Sequence, residues 1–401
     1  MKHDKNVNDI CFSFWQTLDS IQLVPPNFWK LDLHDVICFS FMLITTIIVW
    51  IAVSYQHNFK TILFYWDGPN YLYAGATLYN IPPNNPWTTF FNYPPSYFAC
   101  HLPGYPILIR ICSYLFFKNY LYGFYLSIIV SGFLLCYSFR RLMIITKCVS
   151  NPTFTTILLS FFPTRLIIYH SVGASEPLFM TFVCLSLIFY RTNNYFKMML
   201  SVWLACFTRI EGMSVGFTIG VCYLLRFRII RAFGMFLTFV APALLVLMHK
   251  YRFNDPLAYI HFNQNSQQLI RWPPFADLLT KQITSDDFYD SSFTCFYIIL
   301  LVGNLFVFPK SIPIGIFSFC FIIYVSLLFH IDIYRYAIPA SIFSFLVGFD
   351  ELLSSDNGKR ALLLFSPFYM IITIFYCSGQ IGSNVAWPQF ISYMFKSINS
   401  L

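Results

Sequence analysis

Apolar runs close to the length that crosses a bilayer recur from one end of this chain to the other, and that recurrence leaves few folds open to it. A hydrocarbon core about 30 Å thick takes about 20 helical residues. Candidate spans fall at about 35–55, 121–139, 154–170, 176–190, 196–208, 212–225, 229–249, 291–308, 311–330, 336–353 and 361–382. Several are short for a full crossing, which a membrane domain tolerates where a helix is broken, tilted or buried among its neighbours. Charged residues make up 10% of the chain, against about 25% in an ordinary soluble domain. The polar segments therefore read as loops of one all-α polytopic membrane domain over 1–401, with about 11 transmembrane helices.

A formal charge of +8 raises nucleic acid as a partner. The Lys and Arg residues instead sit at the ends of apolar runs and form no basic stripe, so a nucleic-acid partner is not expected. Most of the 12 cysteines lie inside apolar runs, among them Cys38, Cys136, Cys184, Cys206, Cys222, Cys320 and Cys377, and no CxxC or His/Cys spacing suggests zinc. They read as small buried apolar residues. The first residues are polar, so a cleavable signal peptide is not expected and the first span serves as its own insertion signal.

Charge distribution predicts the orientation. With the N-terminus cytoplasmic, Arg140, Arg141, Lys147, Arg191, Lys197, Arg226, Arg228, Arg231, Lys310, Lys359 and Arg360 all fall in short cytoplasmic loops. That arrangement requires 104–117 not to cross, and it leaves two long loops, about 56–120 and 250–290, on the opposite side. Long structured loops tend to carry function.

The polar motifs gather on that same opposite side. Trp66-Asp67-Gly68-Pro69 places an Asp just beyond a span, among aromatics and turn residues; it suits a general base in a partly desolvated pocket, and equally a turn Asp. His101-Leu102-Pro103-Gly104-Tyr105-Pro106 follows in the same loop. Ser175-Glu176-Pro177 opens a span, where a carboxylate also caps a helix. Glu176, Glu211 and Glu351 are the only glutamates in the chain. Arg209-Ile210-Glu211-Gly212 puts ionisable residues at membrane depth, suited to holding a lipid phosphate or to a local ion pair. Asn254-Asp255-Pro256-Leu257-Ala258-Tyr259, then His261, Gln264, Gln268 and Trp272-Pro273-Pro274, make the second long loop. Asp332-Ile333-Tyr334-Arg335-Tyr336 comes later. Amides and aromatics of this kind suit a sugar or lipid headgroup, or an interfacial belt.

These motifs, in this order, resemble the landmarks of the polyprenyl-phosphate-sugar-dependent glycosyltransferases of the GT-C fold. Within that group they are similar to the PIG-V-like mannosyltransferases, which add the second mannose of GPI anchors. The resemblance rests on Trp66-Asp67-Gly68, the Leu102–Pro106 run leading into Ile107–Arg110, Ser175-Glu176-Pro177-Leu178-Phe179, Arg209–Gly212, Asn254–Tyr259 and Arg335-Tyr336, and spans 66–336. The chain departs from the family at Thr208-Arg209-Ile210-Glu211 and at Asn254, where Gly is common.

The resemblance implies transfer of mannose from dolichyl phosphate mannose to a lipid-linked acceptor at the luminal face of the endoplasmic reticulum membrane. It also implies luminal long loops and a small membrane partner subunit. Asp67 would be the base, with Glu176 sharing that role or orienting the acceptor. Arg209, Arg335 and His101 would hold the donor phosphate, and Trp66, Tyr105, Glu211, Asp255, Tyr259, His261 and Gln264 the remaining substrate. Phosphate is a competent leaving group, so neither metal nor cofactor is chemically obligatory.

Two other classes compete. A secondary transporter would carry repeated halves and broken helices around a midplane site; no repeat is visible, although Pro163 and Pro242 fall inside predicted spans. A membrane acyl- or phosphotransferase would need a His pair or an Asp-rich metal motif, and Asp286-Asp287 with Asp290 is the one Asp cluster, in a polar loop.

Overall fold

The structure is a computed structural model that describes residues 24–86, 88, 93–264, 288–328 and 332–399. Helices carry the described fold. In chain order, those that position the site are α1 (Leu33–Gln56), α2 (Gly68–Thr77), α3 (Gly104–Tyr114), α4 (Tyr120–Thr146), α5 (Thr164–Ser171), α6 (Glu176–Arg191) and α7 (Tyr195–Thr208). They continue with α8 (Met213–Leu225), α9 (Val240–Phe253), α10 (Phe288–Val307), α11 (Ile312–Ser326), α12 (Ile333–Tyr336), α13 (Asp356–Ser383) and α14 (Pro388–Asn399).

Among the described residues, four helical stretches are long and apolar enough to cross a membrane: α1, α4, Ile229–Phe253 and α13. A fifth results if α5 and α6, bent by 107° against each other, count as one broken span. The remaining predicted spans correspond to shorter apolar helices, 195–208, 210–225, 294–307, 312–326 and 338–348. At a rise of about 1.5 Å per residue, these stretches fall short of a 30 Å core by themselves, except that 294–307 belongs to α10, which has 20 residues in all. The predicted span 154–170 is divided into Pro152–Leu159 and α5, with Pro163, which has no N–H to donate, at the break.

Local chemistry sets the helix starts. Asp32 and Asp35 form a reciprocal capping box at the head of α1, each carboxylate accepting from the other's backbone N–H at 3.0 Å. Asn119 caps α4 and Asn194 caps α7 through side-chain oxygens.

The two aspartates at the start of α1 also meet two arginines near the end of α4. Arg140 Nη1 donates to Asp35 Oδ1 at 2.7 Å and to Asp32 at 2.9 Å, and Arg141 pairs with Asp35. Asp35, Arg140 and Arg141 are buried, so the charges are retained only because they neutralise one another. Asp32 is held down to about 2: desolvation opposes ionisation, but the hydrogen bond and charge of Arg140 outweigh it. This cluster makes α1 and α4 antiparallel. The segment between them leaves and re-enters at the other end, and α3 within it, at 11 residues, is about 16 Å long, about half the thickness of a 30 Å core.

α14 has no counterpart in the sequence reading, which assigns nothing after 382. α14 packs on α2 through Tyr73, whose ring lies 5.9 Å from Phe390 and 6.1 Å from Tyr393. Backbone bonds fix the same join, Ala386 N–H to Phe64 O at 2.7 Å and Trp66 N–H to Asn384 O at 2.9 Å.

Candidate functional site: a ladder of alternating charge

Residues from motifs as far apart as 66 and 336 line one cavity at the end of the fold opposite the Asp35–Arg140 cluster. It offers about 140 Å³ of space and is lined by Trp66, Asp67, Tyr71, Tyr97, Cys100, His101, Leu102, Ser175, Thr208, Arg209, Ile210, Glu211, Tyr259, Phe262, Asn263, Tyr324, Arg335 and Tyr336.

Each charged member is delivered by a helix boundary. Asp67 immediately precedes α2, Glu176 is the first residue of α6 at its bend from α5, Arg209 follows α7, and Arg335 lies on the single turn α12. Two glycines let these boundaries converge. A Cβ on Gly104 would sit 2.8 Å from Thr208 Cα, and one on Gly212 would sit 2.6 Å from the Ala205 carbonyl carbon, so both positions require close backbone approach beside Arg209.

The side chains alternate in sign. Asp67 Oδ2 pairs with Arg335 Nη1, and Arg335 Nε pairs with Glu176 Oε1. The same Glu176 oxygen accepts from Arg209 Nη1 at 2.6 Å, and Arg209 Nη2 reaches Glu211 Oε1 at 3.1 Å. Tyr324 donates its hydroxyl to Glu211 Oε1 at 3.1 Å. At the other end of the ladder His101 Nε2 lies 3.4 Å from Asp67 Oδ1. Burial alone would push the Asp67 carboxyl up; the charge of Arg335 and the contact with His101 override it and hold the group well below the usual carboxylate range. In this state Asp67 is a fixed anion.

Aromatic faces hold the arginines in place. The Arg335 guanidinium lies 4.7 Å from the Tyr169 ring centroid, and that of Arg209 lies 5.6 Å from Tyr336. Tyr169 donates its hydroxyl to Asp332, which also binds Arg165 through Nε at 2.8 Å. Tyr71 donates to Ser175 Oγ at 3.1 Å.

Among the residues expected from sequence, Trp66, Asp67, His101, Arg209, Glu211, Tyr259 and Arg335 line the cavity, and Glu176 bridges the two arginines. Tyr105 does not line it. Fully buried, it bonds Ser127 at 3.0 Å and packs edge-on against Tyr71. Asp255 and His261 pair with each other at 2.9 Å on the surface, and Gln264 is exposed. Gln268, Trp272-Pro273-Pro274 and Asp286-Asp287 lie outside the described residues. Among the described residues no group of three or more His, Cys, Asp or Glu is placed to hold a metal ion.

Sequence reasoning did not single out Tyr97, Tyr324, or the Arg165 and Tyr169 that cluster with Asp332 behind Arg335. Arg165 carried a usable signal: an ionisable residue inside a predicted span is a functional candidate by default. Comparison with models of known protein families gives no match, and comparison with curated proteins gives none either.

Proposed function

We propose that this chain is a membrane glycosyltransferase of the GT-C type, moving mannose from dolichyl phosphate mannose to a lipid-linked acceptor. The acceptor in this reading is a GPI-anchor precursor receiving its second mannose. The observation that carries the reading is Asp67 ion-paired to an arginine beside a second arginine, in one cavity built from residues 66 to 336. The resemblance of the same motifs to PIG-V-like enzymes supplies the sugar and the acceptor. It also supplies the luminal face of the endoplasmic reticulum, while the distribution of Lys and Arg supplies a cytoplasmic N-terminus and the apolar runs about eleven spans, the shorter apolar helices completing the set.

The chemistry follows from the ladder. A carboxylate held by a guanidinium is a poor base, and a donor phosphate is the anion best able to compete for that guanidinium. When the phosphate engages Arg335 and Arg209, Asp67 loses its strongest cationic neighbour and its proton affinity rises. Asp67 then takes the proton of the acceptor hydroxyl as its oxygen attacks the anomeric carbon. The bond from that carbon to the phosphate oxygen breaks, and the lipid phosphate leaves with the electron pair, its charge met by the two arginines. One displacement inverts the anomeric centre. Glu176 keeps the two arginines together before the donor arrives.

The test is transfer from labelled dolichyl phosphate mannose in microsomes containing the chain. Labelled GPI precursor is expected; its absence with partner subunits supplied would reject this acceptor.

A second reading, a secondary transporter, is favoured by one observation. α5 and α6 meet at 107° with Glu176 at the break, as in the discontinuous helices that build transporter sites. Against it, Glu176 is already neutralised by two arginines. Substrate uptake by vesicles containing the chain, without sugar transfer, would select this reading.

A further inference from the structure

Asp332 opens the motif that supplies Arg335, yet it does not line the charged cavity. It directly precedes α12, where an Asp ordinarily caps the helix by accepting from N–H groups of the first turn. α12 has no side-chain cap. The Asp332 carboxylate turns to α5 instead. Arg165 grips it as a fork, Nε to Oδ1 at 2.8 Å and Nη2 to Oδ2 at 2.6 Å, and Tyr169 donates its hydroxyl to Oδ2. The Arg165 and Asp332 side chains are 13% and 16% exposed, so solvent screens the pair little.

That grip matters because α12 has only four residues, too few for its own hydrogen bonds to hold it. Asp332 and Arg335 stand at the two ends of the turn, joined by a backbone bond from Arg335 N–H to Asp332 O at 3.0 Å. Both ends rest on one residue of α5. Tyr169 binds Asp332 through its hydroxyl and carries the Arg335 guanidinium on its ring, 4.7 Å from the centroid. The same hydroxyl meets that of Tyr65 at 3.1 Å, and Tyr65 stands two residues before Asp67. Arg165 is anchored in turn to α13, by Tyr376 at 2.9 Å and Gln380 at 3.1 Å. The two segments that carry the Asp67–Arg335 pair thus meet at one hydroxyl, backed by α5 and α13.

From this arrangement we infer that Asp332, gripped by Arg165, is a positioning residue: it fixes the turn that carries Arg335 and so sets Arg335 against Asp67. It acts through Arg335. The inference rests on the glycosyl-transfer reading for what Arg335 does to the donor phosphate, whereas the clamp itself concerns only where Arg335 sits.

A double-mutant cycle between Asp332→Asn and Arg335→Lys, on purified full-length protein at matched folded amounts, tests the functional half. Asp332→Asn keeps the shape of the side chain and removes its charge, so kcat for transfer should fall by up to about 10²-fold, the scale of a misplacement near 1 Å. The combined variant should be no slower than Arg335→Lys alone, because Asp332 acts only through that guanidinium. Losses that multiply would give Asp332 a role in the fold at large and overturn the inference. The positional half needs no turnover. Phenylglyoxal, which modifies arginine, is applied to each protein and adducts are mapped by mass spectrometry, with Arg209 as the internal reference. Asp332→Asn should raise modification of Arg335 relative to Arg209 by about tenfold, the effect of losing one hydrogen bond to a charged group. An unchanged ratio would overturn the clamp. If Asp332→Asn does not fold, Asp332→Asn with Arg165→Gln removes both charges and takes its place in both experiments. Arg335 released by the variant, with no transfer by wild type, would retire the enzyme reading and leave the clamp standing. Transfer by wild type with an unchanged ratio would do the reverse.

Discussion

Asp67 and Arg335 lie 268 positions apart in the chain and share a partly buried ion pair. The pair closes the fold onto itself: Asp67 follows the first long helix, and Arg335 precedes the last.

That pair gives stability a definite pH dependence. The Asp67 carboxyl is held well below the ordinary carboxylate range, so its contribution is complete above about pH 4, the unfolded-state value, and is lost as pH falls through the lower folded-state value. The difference in thermal midpoint between wild type and Asp67→Asn in detergent should be constant from about pH 5 to 8 and shrink below about pH 4. A difference that varies between pH 6 and 8 would show that another titrating group sets it.

Tyr169 supports Arg335 with its ring and binds Asp332 with its hydroxyl. Tyr169→Ala removes a partly desolvated cation–π contact worth about 1–2 kcal/mol, so KM for the donor should rise about tenfold. Tyr169→Phe keeps the ring and should shift KM less. Equal losses in the two variants would assign the effect to the hydroxyl.

Gly104→Val would drive a branched side chain into the Thr208 backbone, which already stands 2.8 Å from where a Cβ would fall. Arg209 follows directly on Thr208. Transfer should drop by about 10²-fold, the penalty for a misplacement near 1 Å, with a smaller loss for Gly104→Ala. Unchanged transfer in Gly104→Val at matched folded protein would show that this contact does not position Arg209.

Ionisable residues are scarce in this chain, which is why so much of the ladder could be read before it was seen. Asp67, Glu176, Arg209, Glu211 and Arg335 each stand out against apolar surroundings, and the structure brings them within one network. Aromatic residues are too abundant for the same logic. Nothing local distinguishes Tyr169, which carries Arg335, from Tyr105, which packs behind the cavity. Asp255, His261 and Gln264 look as polar as the ladder residues but lie on the outer side of a segment whose Tyr259, Phe262 and Asn263 line the cavity. Helix positions were legible from apolar runs, whereas the 107° turn between α5 and α6 depends on packing and was not.

The measurement closest to the central claim compares wild type with Asp67→Asn for transfer from dolichyl phosphate mannose to GPI precursors, at matched amounts of folded protein. Asparagine preserves size and one acceptor oxygen while removing the proposed base, so transfer should fall by about 10²–10⁴-fold. Transfer at the wild-type rate by Asp67→Asn would contradict the account, since no base at Asp67 would then be needed.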